Sequence, residues 1–480
     1  MASIRLAVLY SSASRYSMRL LGLFSAMIIA RLLTPEEIGT FAIASAIVMI
    51  MSEFRLLGAG AYLVREQELT DAKIRSALGL TVLISWGLGG LIWLTSPWVA
   101  EFYELPPIEI IFRILSMSFF LAPFISVPSA LLIRSFEFKK LFVIRLITTL
   151  ANVGFTIGLI VIGYRFFALA WGYTLSIFVE LLAVIYFRPR ATQWRPSFLN
   201  IREIAGFGIY TSLANFFRRG VITAPDIIIG KIGTTAQVGL FSRGLGFIEF
   251  VSQTLLMGVS PVVLPFLADV KRSGGDVNAA YTKASVLLGG ILWPVLTVAS
   301  VVSLPAILLF FGDQWLSAAP YATILAYWAI FRTMHWFSND LLISKGFEKI
   351  LAIKEGVTFI AHFTAVGLAF PYGLTAVASG FMAAGLLDCL ITTWFLSKYL
   401  GLNVRKFLKP WFLNAGIALI CGIVSYAIYR TMLDLSWGPV VGLVVIALVL
   451  PFVWLALIMC LKHPLNIEVN NVINRFRRRI

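Results

Sequence analysis

Long apolar stretches alternate with short polar stretches along almost the whole chain. A helix needs roughly 20 mostly apolar residues to cross a bilayer, because each helical residue adds only about 1.5 Å. Fourteen stretches reach that length, and each is predicted to be a transmembrane helix. The predicted spans are residues 11–33, 38–57, 76–100, 109–132, 140–162, 167–187, 204–225, 237–262, 284–311, 320–343, 350–370, 374–397, 410–430 and 438–461.

Basic residues accumulate in alternate connecting loops, and the loops between them are short and poor in Lys and Arg. Cytoplasmic loops carry such a positive excess, so the basic loops are predicted to be cytoplasmic. An even number of spans then places both termini in the cytoplasm. The basic residues are Arg65, Lys73, Arg75, Arg134, Lys139, Lys140, Arg188, Arg190, Arg195, Arg202, Lys271, Arg272, Lys283, Lys345, Lys349, Lys398, Arg405, Lys406, Lys409, Lys462, Arg475, Arg477, Arg478 and Arg479.

Composition supports a membrane protein, because 59% of the 480 residues are hydrophobic and only 13% are charged, with a mean hydropathy of +0.90. Soluble domains carry about 45–50% apolar and about 25% charged residues. The basic loops account for much of the net charge of +16, so no nucleic-acid partner is expected. No cleaved signal peptide is expected either. Three single cysteines within apolar segments predict neither disulfides nor a metal site.

A loop pattern occurs twice, 200 residues apart. The stretch IIARLLTPEEIGTF begins at Ile28, and IIIGKIGTTAQVGLF begins at Ile227. Further similar stretches follow: LLIRSFEFKK at 131–140 with LLISKGFEKI at 341–350, and ALAWG at 168–172 with AVASG at 376–380. Helices one to six are therefore predicted to recur as helices seven to twelve in the same orientation. The predicted domains are an N-terminal six-helix lobe (1–200), a C-terminal six-helix lobe (201–400) and two additional helices with a basic tail (401–480).

Two parallel helix bundles in one membrane chain are typical of transporters that expose a central site to each side in turn. Charged residues within the spans support this interpretation, because an intramembrane charge is costly and usually marks a substrate path or a partner. The arginines predict a cationic cavity for an anionic substrate, since guanidinium binds phosphate through two parallel hydrogen bonds. The substrate-binding candidates are Arg15, Arg19, Arg145, Arg218, Arg219, Arg243 and Arg332.

Intramembrane carboxylates are candidates for coupling transport to a proton or sodium gradient. They are Glu53, Glu180, Asp226, Glu249, Asp340 and Asp388, of which Glu180 and Asp388 also have a structural alternative.

Some of the other intramembrane charges have structural explanations. Glu249 lies close enough to Arg243 along the helix for mutual neutralisation. Arg15, Lys354 and Glu355 lie near enough to a cytoplasmic end to extend towards water. His335 and His362 are interpreted as packing residues with satisfied hydrogen bonds.

The pattern ARLLTPEEIGTFAIASAIV, followed by GAGAYLVREQELTDAKI and later by NVGFTIGLIVIGYRFFALAWG at 152–172, resembles the Wzx-type polysaccharide transporters. These belong to the multidrug/oligosaccharidyl-lipid/polysaccharide exporter superfamily. The resemblance covers essentially the whole chain. It implies a flippase in the bacterial inner membrane that moves an oligosaccharide linked to undecaprenyl pyrophosphate to the outer leaflet. Arg19 and Arg219 coincide under the 200-residue repeat, so they are predicted to face each other across the cavity and to bind this pyrophosphate.

Two alternatives remain at this point. A lipid II flippase of the same superfamily shares the fourteen helices and the cationic cavity. An ion-coupled drug exporter is less favoured, because a cationic cavity repels cationic drugs and the extra helix pair is unexplained. An enzyme is not expected, since no large catalytic loop, nucleotide-binding loop or catalytic triad occurs. No cofactor is expected. The expected partners are the lipid-linked oligosaccharide, membrane lipids, and the polymerase and glycosyltransferases of the same pathway.

Overall fold

The computed structural model describes residues 2–55, 57–199, 201–257 and 260–470. No strand occurs among them, and the predicted all-α fold class is confirmed. Each of the fourteen predicted spans coincides with at least one helix. Ten helices in the described part of the chain are long and apolar enough to cross a membrane, so the protein is a multi-pass membrane protein, while the count of fourteen remains a prediction.

The helices follow each other closely along the chain. They are α1 Ala2–Leu32, α2 Pro35–Ser52, α3 Ala59–Arg65, α4 Asp71–Tyr103, α5 Pro107–Arg134, α6 Phe138–Leu159, α7 Phe167–Phe187, α8 Ile201–Ile232, α9 Thr235–Leu256, α10 Ser260–Arg272, α11 Val277–Val301, α12 Ser303–Phe311, α13 Ala319–Met334, α14 Ser338–Lys345, α15 Glu348–Ala369, α16 Leu374–Leu400, α17 Val404–Leu408, α18 Trp411–Asp434 and α19 Pro439–Cys460.

The chain forms two compact units. The first contains Met1–Ser242 together with Glu348–Phe363, and the second contains Arg243–Phe347 together with Thr364–Ile480. Helices α9 and α15 therefore each pass from one unit into the other. The division into two six-helix lobes and a two-helix addition remains a prediction.

Within the first unit, both copies of the repeated loop begin their helix with the same capping box. The Thr34 hydroxyl accepts the Glu37 N–H at 3.4 Å, and the Glu37 carboxylate accepts the Thr34 N–H at 3.0 Å. Thr234 and Gln237 repeat both bonds at 3.2 and 2.9 Å. Each box satisfies two backbone groups that a helix start would leave without partners. The repeated sequence pattern thus corresponds to a repeated helix start.

Helix α2 packs along α8 for most of its length. Ile43 lies against Gly230 near one end, and the rings of Phe54 and Phe216 are 5.0 Å apart near the other. Beyond the end of α2, Gly58 has φ of +76° and its backbone touches Gly208, where an added Cβ would lie 2.5 Å from the facing Cα. Small residues that allow backbones to approach this closely are typical of helix contacts in membranes.

In the second unit, the C-terminal helices α18 and α19 pack against α11. The Asn414 side chain donates to the Val286 carbonyl at 3.0 Å, and the Trp454 indole donates to the Gly290 carbonyl at 2.8 Å. His463 lies between its bonding partners, with Nε2 2.8 Å from the Asn414 Oδ1. These bonds attach α18 and α19 to α11.

The structure corrects the predicted tenth span, 320–343, which is two helices with a break at 335–337. No Gly or Pro lies at the break, so the sequence contains no local signal for it. The break coincides with bonds made by His335. Its Nδ1 lies 2.8 Å from the Tyr281 hydroxyl, and its Nε2 lies 2.7 Å from the Thr393 hydroxyl. His335 is 6% exposed, so these bonds match its interpretation as a packing residue.

Candidate functional site

The first charged cluster lies where α2 ends, beside the middle of α8. The Arg219 Nε donates to the Glu53 carboxylate at 3.1 Å, and the side chains are 41% and 22% exposed. Helix α2 positions Glu53 as its C-terminal cap, whose N–H bonds to the carbonyls of Ile50 and Met51. A predicted substrate ligand and a predicted coupling carboxylate are therefore paired with each other.

Arg55 belongs to the same region and was not among the predicted site residues. It follows Glu53 by two positions, and its guanidinium carbon lies 5.7 Å from the centre of the Phe119 ring. Its buried Nε has no hydrogen-bond partner among the residues that the structure describes. The charges of Arg55 and Arg145 both act on Glu180 of α7. The sequence pattern did not indicate Arg55 as a site residue, because Arg55 lies near the end of the predicted span 38–57, where the boundary is uncertain. Its adjacency to Glu53 was the signal that could have revealed it.

Three further predicted arginines, Arg15, Arg19 and Arg218, belong to the first unit. Arg218 is exposed and donates to the Asn215 side chain at 2.8 Å, one turn away on the same helix. Arg19 is half-buried on α1 and belongs to the same compact unit as Arg219. Arg15 lies on α1, but its side chain lies outside the described part, as do the basic tail residues after 470. The proposed meeting of Arg19 and Arg219 remains a prediction.

In the second unit, Arg332 forms an ion pair with Glu249, and both side chains are only 19% exposed. The guanidinium lies between two indole rings, 4.9 Å from the centre of Trp328 and 4.7 Å from that of Trp336. The expected neutralisation of Glu249 by Arg243 is therefore wrong. Arg332 is distant from Glu249 in sequence. It lies near the end of α13, just before the helix break, and its side chain reaches Glu249 there.

Arg243 has aromatic neighbours instead. Its guanidinium carbon lies 4.7 Å from the centre of the Phe311 ring and 4.5 Å from that of Trp315. Its Nε is buried and has no hydrogen-bond partner within the described part of the chain. Among the residues that the structure describes, no carboxylate of the second unit forms an ion pair with it. Stacking on ring faces stabilises a cation without neutralising its charge.

The candidate coupling carboxylates are dispersed rather than gathered. Asp226 accepts a hydrogen bond from the Ser242 hydroxyl, and Asp388 accepts one from Thr392 at 3.2 Å. Asp340 lies in the first turn of α14, directly after the helix break. Three of the six candidates belong to each compact unit. The described residues contain no group of three potential metal ligands.

Lys354 and Glu355 do not extend towards water, which corrects the expectation for these two residues. They pair at 2.8 Å and are 4% and 5% exposed, within the part of α15 that packs on α8. The rings of Phe217 on α8 and Phe359 on α15 are 5.8 Å apart. His362, one turn beyond Thr358, bonds to its carbonyl at 2.9 Å and is 1% exposed, as a packing residue would be.

Comparison with known proteins shows the family to which the chain belongs. The family model described as "Polysaccharide biosynthesis protein" matches residues 28–320, more than half of the chain. The chain belongs to that family. It is 21% identical to the teichuronic acid biosynthesis protein TuaB of Bacillus subtilis strain 168, over 77% of this chain and 78% of that protein. Identity with the lipopolysaccharide biosynthesis protein WzxC of Escherichia coli K12 is 23%, over 94% and 92%. The resemblance to Wzx-type transporters is confirmed.

A solved structure supports the transporter fold. The protein is similar to the lipid II flippase MurJ in its inward closed conformation, with a TM-score of 0.76 over 94% of this chain and 98% of that one. Identity is only 14%, so the likeness concerns the fold alone. The relatives and the fold are consistent with the expectation that the protein is not an enzyme.

Proposed function

We propose that the protein is a flippase for polysaccharide repeat units linked to undecaprenyl pyrophosphate. It moves them from the cytoplasmic to the outer leaflet of the bacterial inner membrane by alternating access through a cationic cavity. Membership of the polysaccharide biosynthesis family supports the substrate class. The transporter fold supports the mechanism, because such folds work by exposing one site to each side in turn.

The observation that carries the proposal is the excess of guanidinium over carboxylate groups around the pair of Glu53 and Arg219 in the first unit. An uncompensated cation within a bilayer is costly, so its presence indicates an anionic ligand. Four arginines lie in or beside this cluster with two glutamates, which leaves an excess of two positive charges. They are Arg55, Arg145, Arg218 and Arg219, with Glu53 and Glu180.

A pyrophosphate suits such a cluster because it carries about two or more negative charges and has oxygens on both sides. Guanidinium groups bind such oxygens through paired, charge-assisted hydrogen bonds. Arg219 is the central ligand in this proposal, with Arg19 and Arg55 as further candidates. In the second unit, Arg243 is a separate cationic candidate, since it stacks on Phe311 and Trp315 and forms no ion pair among the described residues.

The test is flipping of a fluorescent undecaprenyl-pyrophosphate-linked saccharide in proteoliposomes. Each charge-assisted contact contributes about 1.5–3 kcal/mol, so Arg219→Ala should slow flipping about tenfold or more. Arg219→Lys should recover part of the rate, because lysine keeps the charge and loses the planar fork. Arg113→Ala is the matched control, since Arg113 pairs with Glu109 one turn away on α5. Normal flipping by both Arg219 variants would refute the role of Arg219 in binding.

A second candidate, lipid II flipping, is favoured only by the fold likeness to MurJ. Both substrates carry a polyprenyl pyrophosphate, so the cationic cluster suits either. Deleting the gene distinguishes them: loss of a surface polymer with normal growth supports polysaccharide export, whereas arrest of cell-wall synthesis supports lipid II.

The polymerase and glycosyltransferases of the same polysaccharide pathway are the proposed partners, and a proton or sodium gradient is the proposed energy source.

A further inference from the structure

The ion pair between Glu53 and Arg219 is open to competition. Both side chains are partly exposed, and the hydrogen bond to Glu53 runs from Nε of Arg219 alone. A carboxylate held by one nitrogen uses only part of the donor fork of a guanidinium. An anion with more charge and more oxygens can therefore replace it by engaging several donors at once.

The position of Glu53 also makes its attachment weak. Glu53 is the C-terminal cap of α2, where the last carbonyl groups of a helix concentrate partial negative charge. A carboxylate is disfavoured at that end of a helix, so the charge of Glu53 depends on Arg219 for compensation. The close contact of Gly58 with Gly208, just beyond the helix end, holds the backbone of this segment against α8. Only the side chain needs to move when the pair separates.

We infer that Glu53 is a displaceable counter-ion. It occupies Arg219 while the site is empty, yields to the pyrophosphate of the substrate, and returns to Arg219 when the substrate leaves. The inference rests on the proposed function and adds a positioning residue to it. Glu53 thereby keeps the empty cluster from carrying an extra uncompensated charge, and it lowers the affinity enough for release.

This role predicts opposite effects for two variants of one ion pair. Glu53→Gln removes the competing charge, so the full-length protein in detergent should bind undecaprenyl pyrophosphate about tenfold more tightly, while flipping slows because release is slower. Arg219→Gln should weaken binding about tenfold. A merely structural ion pair would give the same direction of change in both variants, because both lose the same contact.

The experiment measures the dissociation constant for undecaprenyl pyrophosphate and the flipping rate in parallel. Glu109→Gln is the matched control, because it breaks a comparable pair with Arg113 on α5 and should alter neither quantity. Unchanged or weaker binding by a folded Glu53→Gln protein would overturn the inference, even if Arg219→Gln binds weakly and the proposed function stands. Absence of binding by the unaltered protein would overturn the proposed function and this inference together.

Discussion

Gly39 and Gly239 meet where the two copies of the repeated loop touch. A Cβ at Gly39 would lie 1.8 Å from the Thr235 carbonyl oxygen and 2.9 Å from the Gly239 nitrogen. A Cβ at Gly239 would lie 2.1 Å from the Pro35 carbonyl oxygen. The contact is reciprocal, as expected for two copies of one motif that face each other. Each glycine is required because backbone atoms occupy the space of a side chain.

Alanine at either glycine should therefore force the helix starts apart. We expect Gly39→Ala and Gly239→Ala each to cost about 1–3 kcal/mol of stability, as overpacked sites do. Gly154→Ala is the control, because no atom of the described residues lies within 4 Å of a Cβ at that helical glycine. It should be neutral or stabilising, since alanine favours a helix by about 1 kcal/mol over glycine. Equal thermal midpoints for all three variants would show that the close contact is not present in the membrane protein.

The ion pair between Arg332 and Glu249 should matter more for stability than an exposed pair. Removing one partner of a partly buried pair leaves an unpaired charge, at a cost between about 1 kcal/mol for an exposed pair and about 3–5 kcal/mol for a fully buried one. We expect Glu249→Gln to lower the thermal midpoint clearly, and Glu249→Gln with Arg332→Gln to recover part of the loss. The comparison is Glu109→Gln, whose pair is 33–40% exposed and should contribute about 1 kcal/mol or less. Similar midpoints for both single variants would contradict the assignment.

The orientation of the termini can be tested with reporters. Fusions after residue 200 and at residue 480 should both report the cytoplasm, because the basic loops near them favour that side. A reporter in the loop around Asp313 should report the outer side. A cytoplasmic signal there, or an external signal from either fusion, would require a different number of spans.

Coupling to an ion gradient predicts a change in flipping rate. Proteoliposomes with an imposed proton or sodium gradient should flip substrate faster than those without one. Asp340→Asn and Glu53→Gln should reduce the response, since an amide cannot load and release a proton. If both variants keep the full response, neither residue couples. If the unaltered protein shows no response to either ion, transport is passive.

Acid should destabilise the attachment of α18 and α19 through His463. The Leu465 N–H donates to its Nδ1 at 3.1 Å, so the ring is neutral, and burial lowers the pKa of His463 to about 4 from its ordinary value near 6.5. Between these pH values the unfolded chain binds the proton and the folded protein does not. Stability should therefore fall as pH decreases from about 6.5 to about 4. His463→Gln should remove this part of the pH dependence of the thermal midpoint, and an unchanged slope would refute it.

The hydrophobic pattern predicted the fold class well, because the bilayer forces apolar runs of fixed length into helices. Ion-pair partners were less predictable. Glu249 was assigned to Arg243 on proximity along one helix, whereas its partner, Arg332, lies 83 residues away. The break at 335–337 also escaped prediction, since it coincides with bonds from His335 to distant hydroxyl groups and not with Gly or Pro. Sequence distance cannot represent such tertiary contacts.

The two capping boxes differ in one atom group, since Glu37 in the first copy corresponds to Gln237 in the second. Both side chains close the same ring of backbone bonds, but only the carboxylate can also form an ion pair with a guanidinium, and Glu37 pairs with Arg165. After a gene duplication, one copy could thus exchange acid for amide with no cost in helix geometry. The two loops share a backbone shape, but one carries a charged side chain and the other a neutral one at the same position. A partner molecule could distinguish the two loops by this difference in charge.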